Sequence, residues 1–216
     1  MRREFHVRFC EGGGVRLPSA TRLVVGFEDR TDAERFWKEL RERFAQFGLE
    51  LHPEKTRLVE FGRYAAGDRA SQGRGKPETF DFLGFTHLCG KTREGWFQLW
   101  RRTERRRLRA KLQEVKAELR RRWHHPIPEV GRWLGSVVDG HGRYYGVPYN
   151  QRALEAFRRE VTWLWRQALM RRSQRAYVTW SRMRRLREQY LPPVRLHHPY
   201  PDQRFRVRTQ GRSPVR

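Results

Sequence analysis

The spacing of apolar residues changes at Arg101, and no single class of fold suits both sides of that point. Upstream, apolar residues come in short runs, Leu23–Phe27, Thr56–Phe61, Thr79–His87 and Trp96–Trp100. Runs of that length, bounded by Gly, Pro and polar residues, read as strands. Downstream, from Arg101 to Met183, no stretch reads as a strand, and apolar residues recur three and four positions apart. The expectation is an α+β chain: a few antiparallel strands with one helix, then an all-α part of about three helices. Three segments follow from this reading, 1–22, 23–100 and 101–216.

Residues 1–22 hold no sustained period, and Gly12, Gly13 and Gly14 interrupt any element, so this segment is expected to be irregular. Leu23–Phe27 is short and β-branched. Thr31 followed by Glu34 has the form of a capping box, which satisfies two orphan donors at a helix start. Ala33, Phe36, Trp37, Leu40, Phe44 and Phe47 then line one helical face, and Gly48 stands where the helix ends. Gly62–Pro77 reads as a polar loop. Phe80, Phe82, Leu83 and Phe85 make the next strand, with Gly84 marking a bulge or a close backbone approach. Gly90–Gly95 is a turn that returns Trp96–Trp100 as a hairpin strand.

Beyond Arg101, Leu108, Leu112, Val115, Leu119 and Trp123 form a stripe, so a helix is expected over about Thr103–Trp123. Pro126 and Pro128 break and restart the chain. Val130, Leu134, Val137, Val138 and His141 suggest a second helix. It carries Gly131, Gly135, Gly140 and Gly142, each costing about 1 kcal/mol against Ala in a helix interior. Such small positions let another backbone come close. Asn150 is a good N-cap, and Leu154, Phe157, Val161, Leu164, Ala168 and Leu169 define a third helix. From Pro192 the chain reads as an extended basic tail, disordered until bound.

Charge decides the class of partner. Lys and Arg number 48 against 24 Asp and Glu, a formal charge of +24 over 216 residues. A surplus that large favours a polyanion, nucleic acid before an anionic membrane surface. Most of the basic residues are Arg, whose planar fork matches phosphate and stacks on bases. Two cysteines, Cys10 and Cys89, exclude a disulfide framework and a Cys-rich zinc site, and the chain reads as cytoplasmic. No apolar run approaches the roughly 18 residues of a membrane span, and the N-terminus lacks the apolar core of a signal peptide.

Catalytic constellations are scarce. Glu28, Asp29 and Asp32 fit a solvated loop and helix cap better than an acid–base pair. His124–His125 and His197–His198 are adjacent pairs, whereas facing ligands on a helix need i, i+4 spacing. Gly12–Gly14 lacks the Lys-Ser/Thr of a phosphate loop. The expectation is therefore a chain with no catalytic and no metal-binding residues of its own. Basic and aromatic interleaving is the stronger signal. On the first downstream helix Arg105, Arg106, Arg107, Arg109, Lys111, Lys116, Arg120, Arg121 and Arg122 fill the positions off the apolar stripe. Glu104, Glu114 and Glu118 are heavily outnumbered. Arg105, Arg106, Arg107, Arg109, Lys111, Lys116 and Arg120 are candidate nucleic-acid contacts, with Arg143, Arg158 and Arg159 from the later helices.

These residues carry a resemblance. GLELHPEKTRLVEFGR, followed by FDFLGFTHLCG, is similar to the last two palm blocks of bacterial group II intron reverse transcriptase/maturases. RRTERRRLRAKLQEVKAELRRR, GRWLGSVVDGHGRYYGVPYN and LPPVRLHHPYPDQRF resemble that family's thumb, or maturase, domain. The similarity runs from about Leu23 to Phe205. It implies a partial palm over 23–100 and a thumb over 101–216. It implies a primer grip at Phe82, Leu83, Gly84 and Phe85, and a nucleotide-proximal Lys55. It further implies binding of group II intron RNA and of an RNA/DNA duplex. The family's palm carries a Tyr-Ala-Asp-Asp block whose aspartates bind Mg²⁺. The matching positions here are Ser19, Ala20, Thr21 and Arg22. Thr and Arg offer no carboxylate to a hard cation. The expected function is that of a truncated maturase-type chain that binds RNA and template–primer without polymerising DNA and without a cofactor of its own. Two other readings remain: an active polymerase subunit completed by a separate palm chain, and a general basic RNA-binding protein.

Overall fold

A computed structural model describes residues 5–10, 22–52, 56–172 and 177–200, with the backbone alone for 5–10, 22 and 23. The described residues form six strands and six helices of an α+β protein, in two compact units that meet at Trp100 and Arg101. That division falls where the apolar period changes.

In the first unit, β1 (Phe5–Cys10), β2 (Arg22–Phe27) and β3 (Arg57–Glu60) form an antiparallel sheet in the order β2-β1-β3. The irregular segment expected over 1–22 is thus corrected at residues 5–10, which form the central strand. Its register pairs Val7 with Val25 on one side and with Leu58 on the other. FHVRFC alternates apolar Phe5, Val7 and Phe9 with His6 and Arg8, which is the strand period. The three glycines that suggested irregularity lie beyond this run.

The strand period also explains how the sheet is covered. Val25, Phe27 and Leu58 pack with Ala33, Phe36, Trp37, Leu40 and Phe44 of α1 (Arg30–Gln46). Val24 and Val59, one residue out of phase, pack with Phe61, Phe80, Phe82 and Cys89. The rings of Phe27 and Phe36 lie 5.2 Å apart. The expected capping box does not form. Helix α1 begins at Arg30, which puts Thr31 inside it, and Glu34 instead accepts from Arg30 Nε at 2.6 Å. The far end is as expected. Gly48 adopts φ +66°, Gly48 N donates to the Ala45 carbonyl and Leu49 N to that of Phe44. That pair of bonds is the Schellman motif.

Two further expectations are corrected. The loop over 62–77 contains a short helix, α2 (Ala65–Ser71). Its local propensity is modest, but Arg69 reaches Glu60 at 3.3 Å and Glu78 at 3.5 Å, and Arg74 reaches Glu60 at 2.9 Å. These ties come from residues distant in sequence. The single strand expected over 79–87 is a hairpin of β4 (Phe80–Phe82) and β5 (Phe85–Lys91). Leu83 at φ +47° and Gly84 at φ +75° make its two-residue turn. Two positive φ values in succession are the geometry of a tight hairpin, not of a bulge. Strand β6 (Phe97–Thr103) completes the sheet β4-β5-β6, as the turn at 90–95 predicts.

The described residues of the second unit form four helices rather than three: α3 (Arg105–Arg121), α4 (Ile127–Tyr145), α5 (Gln151–Met170) and α6 (Trp180–Tyr190). Val115 and Leu119 of α3, Val130, Leu134 and Val138 of α4, and Phe157, Val161, Trp165 and Leu169 of α5 form one buried cluster. Helix α6 adds Met183, with Leu186 and Tyr190 beside it. Its apolar stripe is narrow and set among four arginines, which hid it in the sequence. The glycines of α4 divide in two. A Cβ on Gly131 would stand 2.6 Å from the Tyr190 ring, and one on Gly135 would stand 2.5 Å from the Tyr190 carbonyl oxygen. These two admit α6. Beyond α6, residues 192–200 are extended, as expected, but they are docked onto α4 rather than free. His197 N and His198 N donate to the Gly146 carbonyl at 2.8 and 3.1 Å, and His198 Nε2 lies 3.0 Å from the Arg143 carbonyl.

Candidate nucleic-acid interface

Helix α3 presents RRRLRAKLQEVKAELRR, in which eight Lys or Arg stand against two Glu. Val115 and Leu119 anchor it, and the helical repeat then sorts the cations onto two flanks. Arg105, Arg109, Lys116 and Arg120 lie on one flank. Arg105, Arg109 and Arg120 are exposed and Lys116 is half-buried. The lower end of this flank opens onto a shallow cavity of about 80 Å³ between α3 and α5, lined by Lys116, Arg120, Trp123, Trp163 and Arg171. Trp163 is 45 % exposed there. Cations beside an accessible indole are what a nucleic-acid strand requires, for phosphates and for base faces.

On the other flank, Arg107 and Lys111 face α4 across a cleft. Lys111 Nζ lies 2.8 Å from Glu114 Oε1. Arg106 bonds Glu104 Oε1 at 3.2 Å. Glu104 precedes the first turn of α3 and is 5 % exposed, so part of the local positive charge is balanced at the helix start.

The remaining candidates are not equivalent. Arg143 is exposed and pairs with Asp139 at 2.7 Å. Arg159 is exposed, 3.9 Å from Glu160. Arg158 is different: its Nη2 donates to the Leu191 carbonyl at 2.9 Å, and burial, with Arg187 nearby, lowers its pKa. It ties α5 to the residue after α6 and faces inward. Lys55 lies outside the described residues. Phe82, Leu83, Gly84 and Phe85 form the hairpin tip of the first unit, where Phe85 is buried and Leu83 is 60 % exposed. Phe80 stacks on His87 beneath that tip, with ring centroids 4.8 Å apart.

Arg182, Arg184 and Arg185 are exposed on α6 and were not among the candidates, because the helix that displays them was not expected. The spacing of Met183, Leu186 and Tyr190 was the available signal. Nearby, the Arg166 guanidinium sits 4.5 Å over the Trp180 ring while its Nε donates to the Val178 carbonyl.

Among the described residues, no three His, Cys, Asp or Glu side chains come together as metal ligands. At the positions matched to the family's aspartates, Thr21 lies outside the described residues and Arg22 opens β2. An arginine is a poor neighbour for Mg²⁺, so these residues do not suit the ion. No helix among the described residues is long and apolar enough to cross a membrane. In comparisons with known proteins, no family model and no curated protein matches the chain.

Proposed function

We propose that this chain is an RNA-binding protein of the group II intron reverse transcriptase/maturase type, which holds RNA and template–primer duplex and does not itself polymerise DNA. The observation that carries the reading is the basic flank of α3. Arg105, Arg109, Lys116 and Arg120 lie in register along one rigid helix, beside an accessible Trp163. The hairpin tip at Leu83 and Gly84 supports a second nucleic-acid contact within the first unit. The chemistry of Thr21 and Arg22 supports the loss of catalysis, since neither supplies a carboxylate for Mg²⁺.

Filter binding to group II intron RNA and to random RNA of equal length tests the binding claim. Affinity for the intron RNA is expected to fall on the order of 100-fold between 50 and 200 mM salt, for roughly five neutralised phosphates. Replacing Arg105, Arg109 and Arg120 together by Gln should flatten that slope. Equal affinity for both RNAs would support a general basic RNA-binding protein instead, because backbone contacts carry no sequence information. Robust primer extension by the purified chain with Mg²⁺ would refute the loss of polymerase activity.

A further inference from the structure

The second flank of α3 forms one wall of a cleft of about 520 Å³, and α4 forms the other. That volume lies within the usual range for a small-molecule site. Arg107 and Lys111, one helical turn apart, stand on the α3 wall, with Glu114 beside them 2.8 Å from Lys111 Nζ. Gly140, His141, Tyr144 and Tyr145 stand on the α4 wall, brought to one face by the same repeat. Burial, with Lys111 second, lowers the pKa of His141, and burial raises that of the Tyr145 phenol against the opposing charge of Arg107. Tyr144 is 53 % exposed and meets Tyr145 edge-on at 4.8 Å.

We propose that this cleft binds one unpaired nucleotide of RNA, with its base against Tyr144 and its phosphate on Arg107 and Lys111. The proposal rests on the RNA-binding reading above and deepens it. Four features of the cleft support it. The cations on one wall complement a phosphate, and the aromatic residues on the other complement a base face. Gly140 keeps the space open, because a Cβ there would have nothing within 4 Å. His141 is buried in the wall, and its Nε2 has no hydrogen-bond partner among the described residues. In a neutral imidazole that nitrogen is a donor or an acceptor according to the tautomer, so it offers one hydrogen bond to the edge of a base. Finally, a duplex is too wide to enter between two packed helices, whereas an unstacked nucleotide can, and unpaired bases are what proteins read in RNA.

The open space at Gly140 provides a decisive variant. Gly140→Leu should fill the cleft from a position where a Cβ meets nothing within 4 Å, and Leu is a better helix former than Gly. The full chain is titrated by fluorescence anisotropy with a short single-stranded RNA and with the blunt RNA duplex of the same length. A strand carrying one internal 2-aminopurine reports stacking. The expected result is a loss of about tenfold for the single strand, the value of one stacked base. The duplex should change less than about twofold, the 2-aminopurine quench should vanish, and the melting temperature should be unchanged or raised. Tyr144→Ala should reproduce the loss and Tyr144→Phe should not. If Gly140→Leu leaves the single-strand affinity intact, or lowers both affinities equally, the cleft is not a nucleotide site, while the RNA-binding reading stands. If the unaltered chain binds neither RNA, that reading fails, and this site fails with it.

Discussion

Asn150 divides its amide between two neighbours. Its Oδ1 accepts from Thr103 N at 2.9 Å, and its Nδ2 donates to Thr103 Oγ1 and to the Tyr145 carbonyl, both at 2.8 Å. The residue stands at the N-cap of α5, where its type predicted it, yet it makes no side-chain cap bond. The side chain instead joins the end of β6 to the end of α4. Asn150→Asp removes both amide donors and buries a carboxylate at a position 1 % exposed, so a loss of about 2–4 kcal/mol is expected from urea unfolding. His141 supplies a second test at this scale. Its ring stacks on Phe157 at 3.8 Å and lies 4.5 Å from Tyr145, and burial, assisted by Lys111, lowers its pKa from 6.5 to about 4. Between those values the unfolded chain binds a proton that the native chain does not. Stability therefore falls as pH drops from 7 toward 4, by at most about 3 kcal/mol from this residue. His141→Phe, which keeps the stack, should show a flatter pH dependence of unfolding. If both chains lose equal stability between pH 7 and pH 4.5, His141 is not the source.

At the scale of elements, α4 uses four glycines for different purposes. At Gly135 a methyl group would stand 2.5 Å from a backbone oxygen, which cannot rotate away. At Gly140 it would meet nothing. Gly→Ala is therefore expected to have opposite signs at two positions of one helix. Gly135→Ala should lose about 1–3 kcal/mol by overpacking. Gly140→Ala should gain up to about 1 kcal/mol from helix propensity. Thermal unfolding of the two variants checks this, and equal shifts would mean that α6 does not approach α4 at Gly135. The sequence reported that α4 has small positions but not which of them a neighbour fills. That depends on α6, whose own stripe is too thin to stand out among Arg182, Arg184, Arg185 and Arg187.

At the scale of the molecule, the two units differ in the buried apolar clusters formed by the residues whose side chains are described. The second packs Trp165, Phe157, Leu134, Met183 and their neighbours into one continuous core. In the first, the described side chains form two small clusters on opposite faces of a three-stranded sheet. Local opening costs least where few buried contacts must break. Limited proteolysis of the full chain should therefore cut within residues 22–100 first and leave a fragment spanning about 104–191. Early cleavage inside α4 or α5 would contradict that.

The sequence by itself determined where the strand period yields to the helical one, the α+β class, and the helical stripes of α1, α3, α4 and α5. It also placed the surplus of cations on the faces those stripes leave outward. These are local properties, set by side-chain spacing within a turn or two. Strand β1 was equally local: its alternation was present in FHVRFC and was masked only by the glycines after it. The rest required tertiary structure. Helix α2 is tied to β3 and to the chain before β4 by Arg69, which reaches Glu60 and Glu78, and Arg74 beyond its end also reaches Glu60. Arg158 turns inward because α6 ends with a carbonyl beside it, while Arg105, Arg109 and Arg120 stay exposed. The cleft beside Arg107 and Lys111 exists only because α3 and α4 both pack on α5 and leave Gly140 facing the space between them, a distance between elements that no spacing within either one records.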